Sequence, residues 1–374
     1  MTESEAYVAF NLTDRIGSAK VAALEREFGS VAAAWESDPS RTSRSGGAVD
    51  WKAEFAKAAR FGVRIITPAD EDYPASLRNA PGHPLALYVK GDASALSMPA
   101  IAMVGTRRAT PYGLDQAFRF SRDLAESGWC IVSGLALGID AESHKGALAA
   151  GGKTVGIIGS GLDMFYPEQN RELAREIVKS GGAVVSEFPF GRPPDEQTFP
   201  QRNHVVAALA SGVVAVECPS KSGTLITTGI AADLGRTVMA VPGRVDSRSS
   251  AGCLALIRDG AVLVRNARDV AEAMSELLAR EGRGKREAGR GKREEGRGKT
   301  GNGERGTDSS PAPKFSIEEA LVMKHVDAEG VALEDLVRLT KLPAAKVNSI
   351  CMTLRVKGRV RFFPGNRVAL PREG

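Results

Sequence analysis

Seven short apolar runs punctuate the middle of the chain, at residues 101–104, 130–133, 154–158, 183–186, 213–217, 237–241 and 261–264. The stretches between them, 112–127, 141–150, 168–180, 203–211, 224–235 and 250–258, read as helices, and a last one follows near 267–279. Runs this short and this uniformly apolar are strands buried on both faces, which a sheet covered by helices on each side provides. Strands alternating with helices predict six parallel steps in a doubly wound, Rossmann-like, mostly parallel α/β sheet. Ligands of such sheets gather beyond the carboxyl ends of the strands.

The stretch IVSGLALGIDAESHKGALAAGGKTVGIIGSG, Ile131 to Gly161, shows what stands at those ends. A strand turns through Gly134 and Gly138, and a helix is expected to start at Asp140, whose carboxylate suits an N-cap. Gly151-Gly152 stop that helix, and a second strand from Thr154 closes on Gly159-Ser160-Gly161.

Before the sheet, residues 1–60 form a small helical domain. Val8, Phe10, Leu12, Ile16, Val21, Leu24, Phe28 and Val31 recur at helical spacing, broken at Gly17-Ser18. This is a plain bundle or, on a sharper reading, a helix hairpin whose amides meet DNA phosphates. A helix at 51–60, a strand at 63–66 and a strand at 85–90 lead into the sheet domain, 61–279. From 280 to 312 the chain repeats GRGKREA, GRGKREE and GRGKTGN, too rich in glycine and charge to bury a core, and reads as a flexible linker. Residues 313–374 predict three helices and a β-hairpin, a winged helix. Ser316 and Glu319 make a capping box there, and Lys341, Lys346, Arg355, Lys357, Arg359 and Arg361 supply charge. Such a tail serves DNA or a protein partner equally well.

The net charge of +5 resides in the linker, where ten Lys/Arg face five Asp/Glu between Arg280 and Gly306. The rest of the chain is neutral overall, so a polyanion site must come from local clustering. Cys130, Cys218, Cys253 and Cys351 and the four histidines have no metal or disulfide spacing; reduced core thiols in a cytoplasmic protein are expected, with no metal and no cofactor. No apolar run approaches a membrane span, and the first residues lack a signal-peptide pattern.

Four small-residue loops end strands of the sheet: Gly105-Thr106-Arg107-Arg108, Ser133-Gly134 through Gly138, Gly159-Ser160-Gly161, and Ser220 to Thr224. Three lead towards helix starts, where free N–H groups and the helix dipole favour phosphate oxygens. Arg107, Lys221 and Arg202 add charge. The candidate phosphate contacts are therefore Gly105, Thr106, Arg107, Arg108, Ser133, Gly134, Arg202, Asn203, Lys221, Ser222, Gly223 and Thr224. Gly152-Lys153-Thr154 fails as a phosphate loop of ATPases, since Ala147 stands at the first glycine and a strand follows. GTRRATPYG is no dinucleotide fingerprint, and no nucleophile elbow or catalytic triad order appears, so no catalytic residue is assigned. His144 and His204 read as structural or phosphate-facing. The long segment Ser186 to His204 ends in Arg202-Asn203, and its Phe188, Phe190 and Phe199 either form a local core or stack bases.

The blocks VGTRRATPYG, SGLALGIDAESHKGAL, GGKTVGIIGSGLDMFYPEQN, VVSEFPFGRPPDEQTFPQRN, VECPSKSGTLITTGIAADLGRTVMAVPG and SAGCLALIRDGAVLV together resemble the bacterial DNA-processing protein A (DprA/Smf) family over residues 60–265. The resemblance implies a protein that binds single-stranded DNA and loads the RecA recombinase onto it during natural transformation. It implies a homodimer built through roughly residues 250–263, and DNA contacts at Arg107, Arg202, Asn203, Lys221, Ser222, Gly223 and Thr224. His204 stands where the family usually carries a second arginine.

Two other readings use the same pocket. Cytokinin-activating nucleotide phosphoribohydrolases share the sheet type, but PSKSGTLIT places Thr227 where their catalytic glutamate would sit. A nucleotide-sensing regulator with a DNA-reading tail changes only the ligand.

Overall fold

Residues of the central strands alternate between two hydrophobic cores, one on each face of a single sheet. Ile101, Met103, Ile131 and Val214 pack on one side with Phe120 and Leu124, while Ala102, Val104, Val132 and Val213 pack on the other with Val205 to Ala210. Period-2 alternation with both faces apolar leaves the strands no exposed side, as their composition requires. The computed structural model describes residues 1–14, 16–38 and 46–275. Of the tail it describes 317–327, 330–342, 346–347, 350–351, 354, 360–363 and 367–370. Two compact units divide the chain, Met1–Gly296 and Arg297–Gly374.

The strands of the first unit are β1 (Arg64–Ile66), β2 (Leu87–Gly91), β3 (Ala100–Val104), β4 (Cys130–Ser133), β5 (Thr154–Ile157), β6 (Ala183–Ser186), β7 (Gly212–Ala215), β8 (Thr237–Ala240) and β9 (Val262–Leu263). They form one sheet in the order β1-β2-β6-β5-β4-β3-β7-β8-β9. All six ladders from β6 to β9 are parallel, whereas β1 and β2 join antiparallel at the β6 edge.

The helices of this unit are α1 (Glu3–Leu12), α2 (Ser18–Phe28), α3 (Val31–Glu36), α4 (Trp51–Phe61), α5 (Ala75–Arg78), α6 (Pro111–Glu126), α7 (Ile139–Ala149), α8 (Arg171–Lys179), α9 (Thr198–Leu209), α10 (Gly223–Asp233) and α11 (Ala251–Arg258). The first helices share a core with the sheet edge: Val8 and Ala58 pack with Tyr88 and Phe190, and buried Glu54 accepts the Phe190 N–H at 2.9 Å.

Two helix starts differ from expectation. α7 begins at Ile139 with Gly138 as its N-cap, at φ 76°, and Asp140 lies inside the first turn. A Cβ on Gly138 would collide with the Thr106 carbonyl, so the turn takes a glycine and the aspartate is released for another task. α9 begins at Thr198, not near 203, which puts Arg202-Asn203 on a helix instead of in a loop. Pro200 is tolerated because the first turn needs no donor there.

In the second unit, α12 (Ile317–Met323) and α13 (Leu333–Thr340) precede helical residues at 346–347, 350–351 and 354. β10 (Val331–Ala332), β11 (Arg361–Phe363) and β12 (Arg367–Ala369) make a small antiparallel sheet in the order β10-β12-β11. Val322, Leu336, Val347, Leu354 and Val368 fill its core, a winged-helix arrangement. The GRGKREx repeats, Ser316 of the capping box, and Arg355, Lys357 and Arg359 lie outside the described residues.

Candidate nucleic-acid interface at the sheet crevice

The chain lays down β3, β4, β5 and β6 towards one edge, then returns across β3 to place β7, β8 and β9 on the other side. The loops after β3 and β7 therefore part company and open a crevice at their carboxyl ends, where sheets of this kind hold ligands. The loop after β3, the turn after β4, the first turns of α9 and the loop before α10 converge there around an open cleft of about 490 Å³. Every predicted contact but one lines it: Gly105, Thr106, Arg107, Arg108, Gly134, Arg202, Asn203, Lys221, Ser222, Gly223 and Thr224. The exception is Ser133, which is fully buried and donates its hydroxyl to the Met103 carbonyl at 2.6 Å. As the last residue of β4 it belongs to the ladder between strands, behind the cleft wall.

Hydrogen bonds between the loops set their spacing. The Thr106 N–H donates to the Glu217 carbonyl at 2.8 Å, and the Ile139 N–H to the Thr106 carbonyl at 3.3 Å. The buried Glu217 carboxylate accepts the Thr110 N–H and hydroxyl, both at 2.8 Å, while Thr110 caps α6. Gly113 is required beside it, since a Cβ would overlap the Glu217 carboxylate. Buried Asn170 donates to the Leu135 and Ala136 carbonyls at 2.9 and 3.0 Å, fixing a turn in which Leu135 has a positive φ of 53°. Neither Glu217 nor Asn170 was expected from sequence. The visible signals are a carboxylate closing an apolar strand and an amide at the end of PEQN.

The cations of the cleft play different parts. Arg107, Arg108 and Lys221 are exposed and make no salt bridge among the described residues. The Arg107 guanidinium lies 4.9 Å from the centroid of the Phe199 ring, a cation–π contact that holds it over the cleft. Arg202 is buried instead: its Nη1 donates to the Gly134 carbonyl and, at 2.7 Å, to the Ile157 carbonyl, and its Nε to Asn203 at 3.1 Å. Nη2 has no hydrogen-bond partner among the described residues, and the side chain forms cleft floor. Asp140 sits beside it, accepting the Ala136 N–H at 3.3 Å. Burial pushes the Asp140 carboxyl above the usual range against the pull of Arg202, and burial lowers Arg202 to about 10 against the pull of Asp140.

Across the crevice, Ser222 caps α10 and accepts the Thr224 N–H at 3.2 Å. The Gly223 N–H is left without a partner among the described residues, and nothing lies within 4 Å of where its Cβ would be. An uncovered amide at a helix N-terminus beside Lys221 has the geometry and charge to donate to an anion oxygen. Thr227 spends its hydroxyl on the Gly223 carbonyl at 3.3 Å and offers no acid.

Phe188 and Phe190 are buried, Phe190 stacking on Phe61 at 5.3 Å, so of the three phenylalanines Phe199 alone faces the cleft. His144 is fully buried; its Nδ1 donates to the Thr154 hydroxyl at 2.6 Å, which donates onward to the Ile131 carbonyl. Burial, then Arg202, depresses it to about 3, so it stays neutral and structural. His204 packs against Gly82 outside the cleft, half-buried, and burial lowers its pKa.

Residues 64–275 match the family model described as DNA recombination-mediator protein A, and residues 307–366 match a DprA winged helix domain. A protein from Synechocystis named Protein Smf is 34% identical over 316 residues, covering 81% of this chain and 79% of that protein. The DNA processing protein DprA of Streptococcus pneumoniae is 39% identical over 217 residues, 58% of this chain and 74% of that one. The X-ray structure of DprA from Streptococcus pneumoniae aligns with a TM-score of 0.61 at 31% identity, covering 73% of this chain and 98% of that one. A Helicobacter pylori DNA processing protein A structure, described by its single-stranded DNA binding mode, aligns with a TM-score of 0.51 at 30% identity, covering 58% and 96%.

Proposed function

This chain belongs to the DNA recombination-mediator protein A family, and from that membership we propose that it holds single-stranded DNA by its phosphates without breaking any bond. One observation carries the reading. Arg107 and Lys221, both without salt bridges among the described residues, and the uncovered Gly223 N–H open onto one cleft floored by Arg202. Such a cradle recognises a polyanion by charge and amide geometry, with no base-edge readout. Phe199, half-buried, carries the Arg107 guanidinium over its ring, a plane on which an unpaired base can stack and a base held in a duplex cannot without unstacking. The Helicobacter pylori relative, described by single-stranded DNA binding, supports the same ligand here.

In this reading the protein protects incoming DNA and loads RecA onto it in natural transformation, working in the cytoplasm as a homodimer built near residues 250–263, with no cofactor. The phosphoribohydrolase reading has no supporting residue at Thr227, where an acid is needed.

The test is a gel-shift titration of single- and double-stranded oligonucleotides at two salt concentrations, with RecA added afterwards. Tighter, salt-sensitive single-strand binding and faster RecA filament growth on the complex support the proposal. Equal binding of duplex, or release of free base from nucleoside monophosphates, overturns it.

A further inference from the structure

Cys218 and Cys253 lie 35 residues apart in sequence, yet their sulfurs are 3.8 Å from each other, both free and fully buried. Cys218 follows β7 at the root of the loop that carries Lys221 and Ser222 into the cleft; Cys253 stands in the first turn of α11. The backbone clamps them together. The Gly252 N–H donates to the Cys218 carbonyl at 2.8 Å, and a Cβ on Gly252 would meet the Cys218 sulfur at 2.5 Å. From this juxtaposition we propose that Cys218 and Cys253 are a modification site: peroxide joins them in an intramolecular disulfide that loosens the cleft's hold on single-stranded DNA.

A buried thiol is ordinarily inert. This pair lies one layer below the surface. Pro219 is half-buried and Ser220 and Lys221 are exposed, so opening the loop that carries them admits a molecule as small as peroxide. The sulfurs are hydrogen-bonded to each other, and Cys253 lies in the first turn of α11, where the helix N-terminus favours a thiolate and makes Cys253 the first nucleophile. Its sulfur attacks one peroxide oxygen, breaking the O–O bond to give the sulfenic acid and water after proton transfer. The Cys218 sulfur then attacks the sulfenic sulfur and expels a second water, so two thiols and one peroxide give one disulfide and two waters. Closing the sulfurs from 3.8 Å to the ~2.05 Å of a disulfide drags the root of the Lys221 loop towards α11.

The effect on DNA rests on the single-strand reading above; formation of the bond does not. The full chain is treated with hydrogen peroxide under native conditions, digested after thiol capping, and mapped by mass spectrometry, while single-strand affinity is followed by anisotropy before oxidation, after it, and after dithiothreitol. The expected result is a peptide pair linked through Cys218 and Cys253 with the loss of two hydrogens. Affinity should fall about tenfold, the scale of one lost charge-assisted contact, and return on reduction. Cys253→Ala should bind normally when reduced and be indifferent to peroxide. Unlinked thiols, or a link that leaves affinity unchanged, overturns the proposal. A reduced wild type that binds no single strand overturns the functional reading instead, and the peptide map, which needs no DNA, tells the two failures apart.

Discussion

The guanidinium of Arg202 fills the space that a side chain on Gly134 would need. A Cβ there would stand 2.5 Å from Nη1, 2.6 Å from Cζ and 2.7 Å from the Asp140 carboxylate. The glycine is therefore a condition for placing a buried cation and its counter-charge under the cleft. Gly134→Ala should cost about 1–3 kcal/mol as an overpacked site, read as a lower Tm, and weaken single-strand binding because Arg202 must shift. An alanine variant with unchanged Tm and affinity would mean that the guanidinium is free to move and has no fixed part in the floor.

Arg107 and Lys221 differ from Arg202 in making no hydrogen bond or salt bridge through their charged ends among the described residues, Arg107 resting only on the exposed side of the Phe199 ring. Arg107→Ala and Lys221→Ala should leave stability within about 0.5 kcal/mol and lower the salt slope of single-strand binding by about 0.7 per lost phosphate contact. Base preference should not change, since phosphate contacts carry no sequence information. Unaltered affinity in both variants, measured by titration at several salt concentrations, would move the site away from this crevice.

The sheet was legible because each central strand is buried on both faces and each connection is a helix; Cys130–Ser133 and Ala183–Ser186 admit no other reading. The convergence of the glycine loops followed from topology alone. What escaped was set by contacts across the chain. Asp140 is an acceptable N-cap by residue type, yet the near approach of Gly138 to the Thr106 carbonyl decides where α7 begins and turns the aspartate towards Arg202. Pro200 looks like a loop residue until it falls in a first helical turn. Arg202 reads as a phosphate fork, and only the carbonyls of Gly134 and Ile157 reveal that one amino nitrogen is already engaged.

His144 supplies a pH test of the core. Its folded pKa is depressed to about 3, chiefly by burial, against an unfolded value of about 6.5. Between those values the unfolded chain binds the extra proton, so stability rises with pH: the contribution is fully present above about pH 6.5 and is lost as pH falls. From pH 7 to pH 5 this one residue should remove about 2 kcal/mol. His144→Asn keeps a donor for the Thr154 hydroxyl and has nothing to titrate. Denaturant melts at the two pH values should show a drop smaller by about that amount in the variant. Equal drops would place the imidazole in contact with solvent.

The winged-helix unit and the cleft can be separated because every residue lining the cleft lies between Val104 and Thr227, within the Met1–Gly296 unit. A chain ending before residue 307 keeps the whole cradle, and its phosphate contacts supply the electrostatic term that dominates sequence-independent binding. It should retain most of its single-strand affinity and the same salt slope, both measured by anisotropy against the full chain. A truncated protein that folds with an unchanged Tm for the sheet unit but binds no single strand would make the tail the primary DNA reader. The crevice would then become a site for a smaller phosphate, since the cations there would still need an anion while the polymer was held elsewhere.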